Sequence, residues 1–211
     1  MSNMPTTKAH LCRYDRPLFH VGCMDGKPWP TSSMEGPLLS CSSYPEDWRA
    51  IARLGQAPVW TLRRVDGKPP KLVNLRGLNR ADNKNWLVKA QALDLIHPAK
   101  LYKAQVGEDQ YTMCLTIEEA RQESEGWVKP VKGWLPRPAL NLFWHGSEGK
   151  KVSPFFVVDA ALTFLAMQIP SVDGIWWDDS YDPGNLSAPR VGIFPEQVKR
   201  LLRKRRVIIL A

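Results

Sequence analysis

The sequence predicts an α+β fold of short, mostly antiparallel strands, and three observations predict it. The order of strand-like and helix-like segments, with no internal repeat, is that of an α+β domain. The 211 residues suit a single domain over residues 16–211 with a real core, preceded by a flexible lead over residues 1–15 and carrying an irregular arm at about 124–138. Hydrophobic residues at 44% and charged residues at 24% lie near the averages of folded globular chains, which excludes wholesale disorder.

Residues 16–22 form the first core segment, a short strand that delivers His20 beside a glycine, Gly22, which leaves the backbone approachable by a ligand. Residues 23–34, rich in Gly, Pro, Ser and Thr, predict a loop, and residues 37–42 a second strand with serines on one face. Ser43-Tyr44-Pro45-Glu46 fits a capping box with Ser43 at the N-cap, opening a helix through Trp48, Ile51, Ala52 and Leu54 that Gly55 closes. Residues 59–62 and 71–75 flank Asp66-Gly67-Lys68-Pro69-Pro70 and predict a hairpin. Asn85 caps a helix from 86 to about 95, with His97 as its C-terminal residue before Pro98. Residues 110–115 read as a strand, and Thr116-Ile117-Glu118-Glu119 as a second capping box opening a helix to about 123.

Residues 124–138, punctuated by Trp127, Pro130, Trp134, Pro136 and Pro138, make the irregular arm; its tryptophans either pack under their own loop or face a partner. Residues 140–144 read as a strand ending at His145-Gly146. Ser153 caps, and Pro154 begins, a buried helix over residues 155–168. Residues 174–177 are an apolar strand, Asp182-Pro183-Gly184-Asn185 forces a turn, and residues 190–194 resume as a strand. Pro195 opens a last helix to roughly Arg205, and residues 207–210 pair as a terminal strand.

The most informative stretch is residues 172–194, where the apolar strand runs directly into Asp178 and Asp179, with Asp182 just beyond. The three carboxylates read either as a catalytic acid cluster or as the solvated turn of a hairpin, and His20 either as a ligand-binding group or as a satisfied core histidine. The four cysteines form no C-x-x-C pair and the four histidines no H-x₃₋₅-H spacing, which argues against a structural zinc site. Neither G-x-x-x-x-G-K nor G-x-S-x-G occurs, which argues against a triphosphate-binding loop and an acyl-transfer elbow.

The formal net charge of +8 favours nucleic acid, an acidic partner or an anionic cofactor. Much of it falls on Lys199, Arg200, Arg203, Lys204, Arg205 and Arg206, a run that is either a solvated face or a nucleic-acid contact. No basic-then-apolar leader is present, and the longest apolar run, residues 155–169, holds Asp159 and Gln168 and falls short of a membrane span. A reducing, cytoplasmic setting without membrane contact is the expectation.

Three blocks in this order resemble the ADP-ribosyltransferase-like superfamily, the NAD-cleaving group that includes bacterial toxins and phage-borne inhibitors. Leu18-Phe19-His20-Val21-Gly22 is similar to its opening strand, and residues 35–43 followed by residues 48–52 to its serine strand and helix. Residues 160–195 are similar to its alanine-rich helix, x-D-G-[VI] strand (Asp173-Gly174-Ile175) and Phe-Pro exit (Phe194-Pro195). The resemblance implies split antiparallel sheets with flanking helices and NAD held bent in the cleft between them. It implies His20 on a ribose hydroxyl, Gly22 beside the adenylate half, Ser40 and Ser42 on the nicotinamide side, and Tyr44 or Trp48 stacked on it. An acid then stabilises the positive charge that develops as the glycosidic bond breaks. Where many members carry a glutamate at the start of the last strand, this chain has Ala188-Pro189-Arg190, so the role falls to Asp178, Asp179 or Asp182.

The implied activity is transfer of ADP-ribose from NAD to a macromolecular acceptor, protein or nucleic acid, by a toxin, effector or counter-defence protein. Hydrolysis of NAD is the alternative on the same fold. A non-enzymatic alternative uses the basic C-terminal segment (Arg200, Arg203, Lys204, Arg205 and Arg206), with Trp127 and Trp134, to bind nucleic acid or a nucleoprotein machine.

Overall fold

The computed structural model describes residues 11–24, 36–51, 53–75, 80–108, 110–147, 149–177 and 190–205. In chain order its elements are β1 (Leu11–Arg13), β2 (Leu18–Val21), β3 (Leu39–Ser42), α1 (Pro45–Ile51), β4 (Val59–Arg64), β5 (Lys71–Asn74) and α2 (Arg80–Ala92). Then come β6 (Ile96–Gln105), β7 (Tyr111–Cys114), α3 (Ile117–Glu123), β8 (Val128–Pro136), α4 (Pro138–His145) and α5 (Val157–Met167). The chain ends on β9 (Gly174–Trp177), β10 (Arg190–Ile193), α6 (Pro195–Val198) and β11 (Leu201–Arg205). This mixture of two sheets and separate helices is the α+β class. The chain divides into two units, Met1–Pro30 with Pro37–Leu78 and Ala166–Ala211, and Thr31–Gly36 with Asn79–Leu165.

The first unit holds an eight-stranded sheet in the order β1-β5-β9-β10-β3-β2-β4-β11. Its neighbours are antiparallel except for β5 and β9, which run parallel. Alternation along each strand sends one set of side chains into the core. Leu18, Leu39, Cys41, Leu62, Leu72 and Ile193 meet there, and Leu201 of the far edge strand joins the same cluster. Each such side chain contributes about 1.5–3 kcal/mol on full burial. The other face carries a smaller cluster, Val21 and Val59 against Trp48 of α1.

Two cross-links fix the frame. Tyr14, 2% exposed, donates its hydroxyl proton to Ser43 Oγ at 2.5 Å. That oxygen is left to accept because its own proton goes to the Pro17 carbonyl at 2.7 Å. Burial pushes the Tyr14 phenol above its ordinary range. The second link is the Asp173 carboxylate, which sits just before β9 and takes Arg64 Nη1 at 2.6 and 2.5 Å and the Lys71 N–H at 2.7 Å. One buried carboxylate thereby ties the end of β4 to the start of β5.

The structure corrects several expectations in this unit. Residues 11–13 are not part of a flexible lead but an edge strand on β5, while residues 1–10 lie outside the described residues. Ser43 is not an N-cap: its hydroxyl is committed to Pro17, and α1 instead begins at Pro45, whose missing N–H costs nothing in a first turn. The strands β4 and β5 both form yet do not pair as a hairpin; β4 lies between β2 and β11, β5 between β1 and β9. Pro69 and Pro70 offer no N–H for a ladder back onto β4, and the Pro70 carbonyl accepts from Tyr14 instead. The long basic C-terminal helix is also absent: α6 is a single turn, and residues 201–205 pair with β4 as β11. Residues 207–210 lie outside the described residues.

The second unit holds the three-stranded antiparallel sheet β7-β6-β8. The helix α3 covers one end of it, with Ala120 packed on Ala104 and Cys114. Thr116 caps it as expected, the Glu119 N–H donating to Thr116 Oγ1 at 3.1 Å, but the returning Glu119 carboxylate accepts the N–H of Leu115, one residue before the cap, at 2.9 Å. The predicted helix before it begins earlier, at Arg80, and His97 and Pro98 belong to the strand β6 rather than to a helix end.

The predicted irregular arm is instead the strand β8. Prolines are tolerated there because β8 is an edge strand, and β6 has no second neighbour until Tyr102. Residues 140–144 form the helix α4, not a strand; Pro138 opens it, Leu140 and Trp144 bury one side, and Gly146 closes it in the left-handed conformation at φ 63°. The predicted helix at 155–168 is present as α5, beginning at Val157. No helix among the described residues is long and apolar enough to cross a membrane.

Candidate functional site

The strands of the blocks that carry the family resemblance come from distant parts of the chain and occupy consecutive places in one sheet, β9-β10-β3-β2, whereas the alanine-rich helix of the last block, α5, falls largely in the second unit. The seam between β2 and β3 is the distinctive place. Its registered pair is Phe19↔Ser42, and two residues back along β3 the Ser40 carbonyl lies 2.8 Å from His20 Nδ1. A carbonyl only accepts, so Nδ1 carries a proton, which in the neutral ring makes Nε2 the acceptor nitrogen.

Gly22 closes the other side of that ring. Its φ of +143° is one that L side chains rarely adopt, and a Cβ there would lie 2.8 Å from His20 Nε2. Trp60, directly opposite His20 on β4, donates Nε1–H to the Gly22 carbonyl at 2.9 Å, and the Gly22 N–H donates to the Pro58 carbonyl at 2.9 Å. The strand pairing thus fixes both the imidazole and the backbone beside it. Sequence reading found His20 and Gly22 and missed Trp60, whose signal is its place two strand residues after Pro58.

The serines do not share His20's face. Leu39 and Cys41 point into the core on which Trp60 packs, so Ser40 and Ser42 point to the opposite face, beside Phe19. Ser42 is 1% exposed and accepts the Tyr44 N–H at 3.0 Å, a local turn into α1. Ser40 stands opposite Gly192, and its buried Oγ has no hydrogen-bond partner among the described residues. A buried hydroxyl left unsatisfied costs about 1–3 kcal/mol and asks for an explanation. Trp48 is 7% exposed within the α1 cluster, so no ring can stack on it, whereas Tyr44 is 43% exposed at the start of the helix.

Asp178, Asp179 and Asp182 lie outside the described residues, directly after β9. What the structure explains in that block is the Asp-Gly pair that precedes them. Asp173 is the buried ion-pair centre already described, and Gly174 is required because a Cβ would come 2.1 Å from the Gly192 carbonyl oxygen across the strand pair. Arg64 bridges from Asp173 to Asp66 at 2.8 Å, and its hydrogen bond holds the exposed Asp66 carboxyl down to about 2.

Of the basic C-terminal residues, Arg203, Lys204 and Arg205 fall on β11, while Lys199 and Arg200 precede it in the turn from α6. Arg203 Nη1 donates to the Met24 carbonyl at 3.1 Å, the Arg200 carbonyl accepts from Val65, and Lys204 and Arg205 stand opposite Thr61 and Trp60. Arg206 lies outside the described residues. Among the described residues there is no cluster of His, Cys, Asp or Glu fit to hold a metal ion. Comparison with known protein families, curated proteins and solved structures finds no match.

Proposed function

We propose that the chain cleaves NAD at the β2–β3 seam and transfers ADP-ribose to a macromolecular acceptor, within an ADP-ribosyltransferase-like arrangement of its first unit. One observation carries the reading: the strands of the histidine, serine and Asp-Gly blocks, remote in sequence, fall within four consecutive strands of one sheet, with His20 and Gly22 at the β2–β3 seam. His20 would hold a ribose hydroxyl, and Gly22 would let the dinucleotide backbone approach. The Ser40 hydroxyl, although buried without a partner among the described residues, points to the face opposite His20 and so drops out of the set that one dinucleotide can meet there. Tyr44 is the exposed ring available for stacking; Trp48 and Ser42 drop out of the binding set because they are committed to the core and the turn.

The acid comes from Asp178, Asp179 or Asp182. A carboxylate acts here on the charge of the oxocarbenium-like transition state, so its loss lowers turnover more than binding. We expect nicotinamide release from NAD by the purified protein, falling about 100-fold or more in Asp178→Ala/Asp179→Ala/Asp182→Ala, the scale of losing one electrostatic group. Label transfer to lysate macromolecules marks a transferase; release without transfer marks hydrolysis instead. A folded protein that releases no nicotinamide, with or without lysate, sinks the enzyme reading.

A further inference from the structure

The second unit presents a face that its own folding does not explain. Strand alternation and the β6–β8 register set Pro98 opposite Trp134, Lys100 opposite Lys132, and Tyr102 opposite Pro130, all on one side of the sheet. A groove of about 760 Å³ runs over Pro98, Lys100, Pro130, Lys132 and Trp134. Both lysines are exposed, and neither has an ion pair among the described residues. Like charges directly opposite one another destabilise a sheet. Here they lie next to an indole and two prolines, with Lys100 Nζ 5.4 Å from the Tyr102 ring centroid.

The opposite side of the same strands supplies an internal contrast. There Lys103 and Lys129 also face one another, but aromatic rings absorb their charge. Lys103 Nζ stands 3.3 Å from the Tyr111 centroid, and Lys129 Nζ 4.5 Å from that of Trp127. On the groove side no ring is placed over Lys132 among the described residues, and the indole of Trp134 lines open space.

We propose that this groove binds single-stranded nucleic acid, with a base stacked on Trp134 and the backbone phosphates on Lys100 and Lys132. An aromatic platform beside paired cations is the combination that single strands use, since stacking needs an unpaired base and the phosphates need positive charge. The rows of the array repeat at about 6.6 Å, twice the strand rise, so the base-stacking row and the cationic row are adjacent along one extended strand. This site lies wholly in the second unit and does not rest on the NAD reading.

The test is fluorescence anisotropy of a labelled oligothymidylate of about 12 nucleotides, titrated with the full chain, a length within the range single-strand sites occupy. Binding should weaken steeply as salt rises. Lys100→Gln/Lys132→Gln should flatten the slope of log K against log salt by about 1.4, two phosphate contacts at roughly 0.7 each for single strands. Trp134→Ala should weaken binding on the order of tenfold or more at fixed salt, the scale of one lost base stack. The lysine variant changes exposed positions only, so it decides the matter should Trp134→Ala fail to fold. Three results overturn the proposal: no binding at about 50 mM salt, where phosphate contacts are strongest; binding whose salt slope the lysine variant leaves unchanged; or heparin and duplex DNA competing as well as the single strand while Trp134→Ala binds normally.

Discussion

Asp173→Ala should lower the stability of the fold by about 3 kcal/mol, at the lower end of what breaking a buried charge pair costs because Arg64 keeps a second carboxylate. The Asp173 side chain is 7% exposed and Arg64's 18%, and the lost carboxylate also strips the Lys71 N–H of its acceptor. Asp66→Asn removes the exposed partner of the same arginine and should cost far less at neutral pH. Asp66's folded value of about 2 is below the ordinary one, so its contribution is present above about pH 4 and is lost as pH falls through about 2. Urea denaturation midpoints check both points. A neutral-pH loss for Asp66→Asn as large as for Asp173→Ala, or a gap between wild type and Asp66→Asn that persists below pH 2, would contradict the assignment.

Gly174→Ala should be as damaging through a different cause. The obstacle to its Cβ is the Gly192 carbonyl, a backbone atom in the ladder that joins β9 to β10. No rotamer change relieves a 2.1 Å approach; the strands must separate or slip. Overpacking a well-filled site typically costs about 1–3 kcal/mol and more where backbone must move. Since β9 and β10 stand in the middle of the sheet, the expected outcome is loss of the cooperative unfolding transition seen by circular dichroism. A variant with wild-type melting would show that the two strands pair less closely than the register requires.

Much of the first unit was legible because its strands are short and apolar: β2, β3, β4, β5, β9 and β10 all follow from aromatic and β-branched runs bounded by turn residues. What pattern cannot supply is partnership. Pro69 and Pro70 deny β5 a ladder back onto β4, but nothing local says which strands it takes instead, β1 from the start of the chain and β9 about 100 residues on. The C-terminal run of leucine, arginine and lysine fits a helix or an edge strand equally, and the open edge of β4 decided it. In the second unit the prolines misled. Pro98, Pro130 and Pro136 read as loop punctuation, yet each stands where a strand lacks a second neighbour. Residues 140–144 were too short to classify by periodicity; Pro138 before them and Gly146 after them carried the helix signal.

For the site, the adjacency of His20 and Gly22 was visible in the sequence, and the structure adds its cause in the Ser40 carbonyl and Trp60. The serine strand was found, but its alternation relative to His20 depends on a register that only the paired strands reveal. Trp48 looked available because an aromatic residue near a helix start can serve a ligand or a core equally well; contact with Val21 and Val59 assigns it to the core.

The most direct measurement of the central claim is the imidazole NMR spectrum of the protein as NAD is added, with His20 assigned by substitution among the four histidines. The account predicts a neutral Nδ1–H tautomer for His20 and NAD-dependent shifts at its Nε2 and ring carbons, with the other histidines unmoved. A folded protein whose His20 signals stay fixed at millimolar NAD would contradict it and leave the seam as a structural joint.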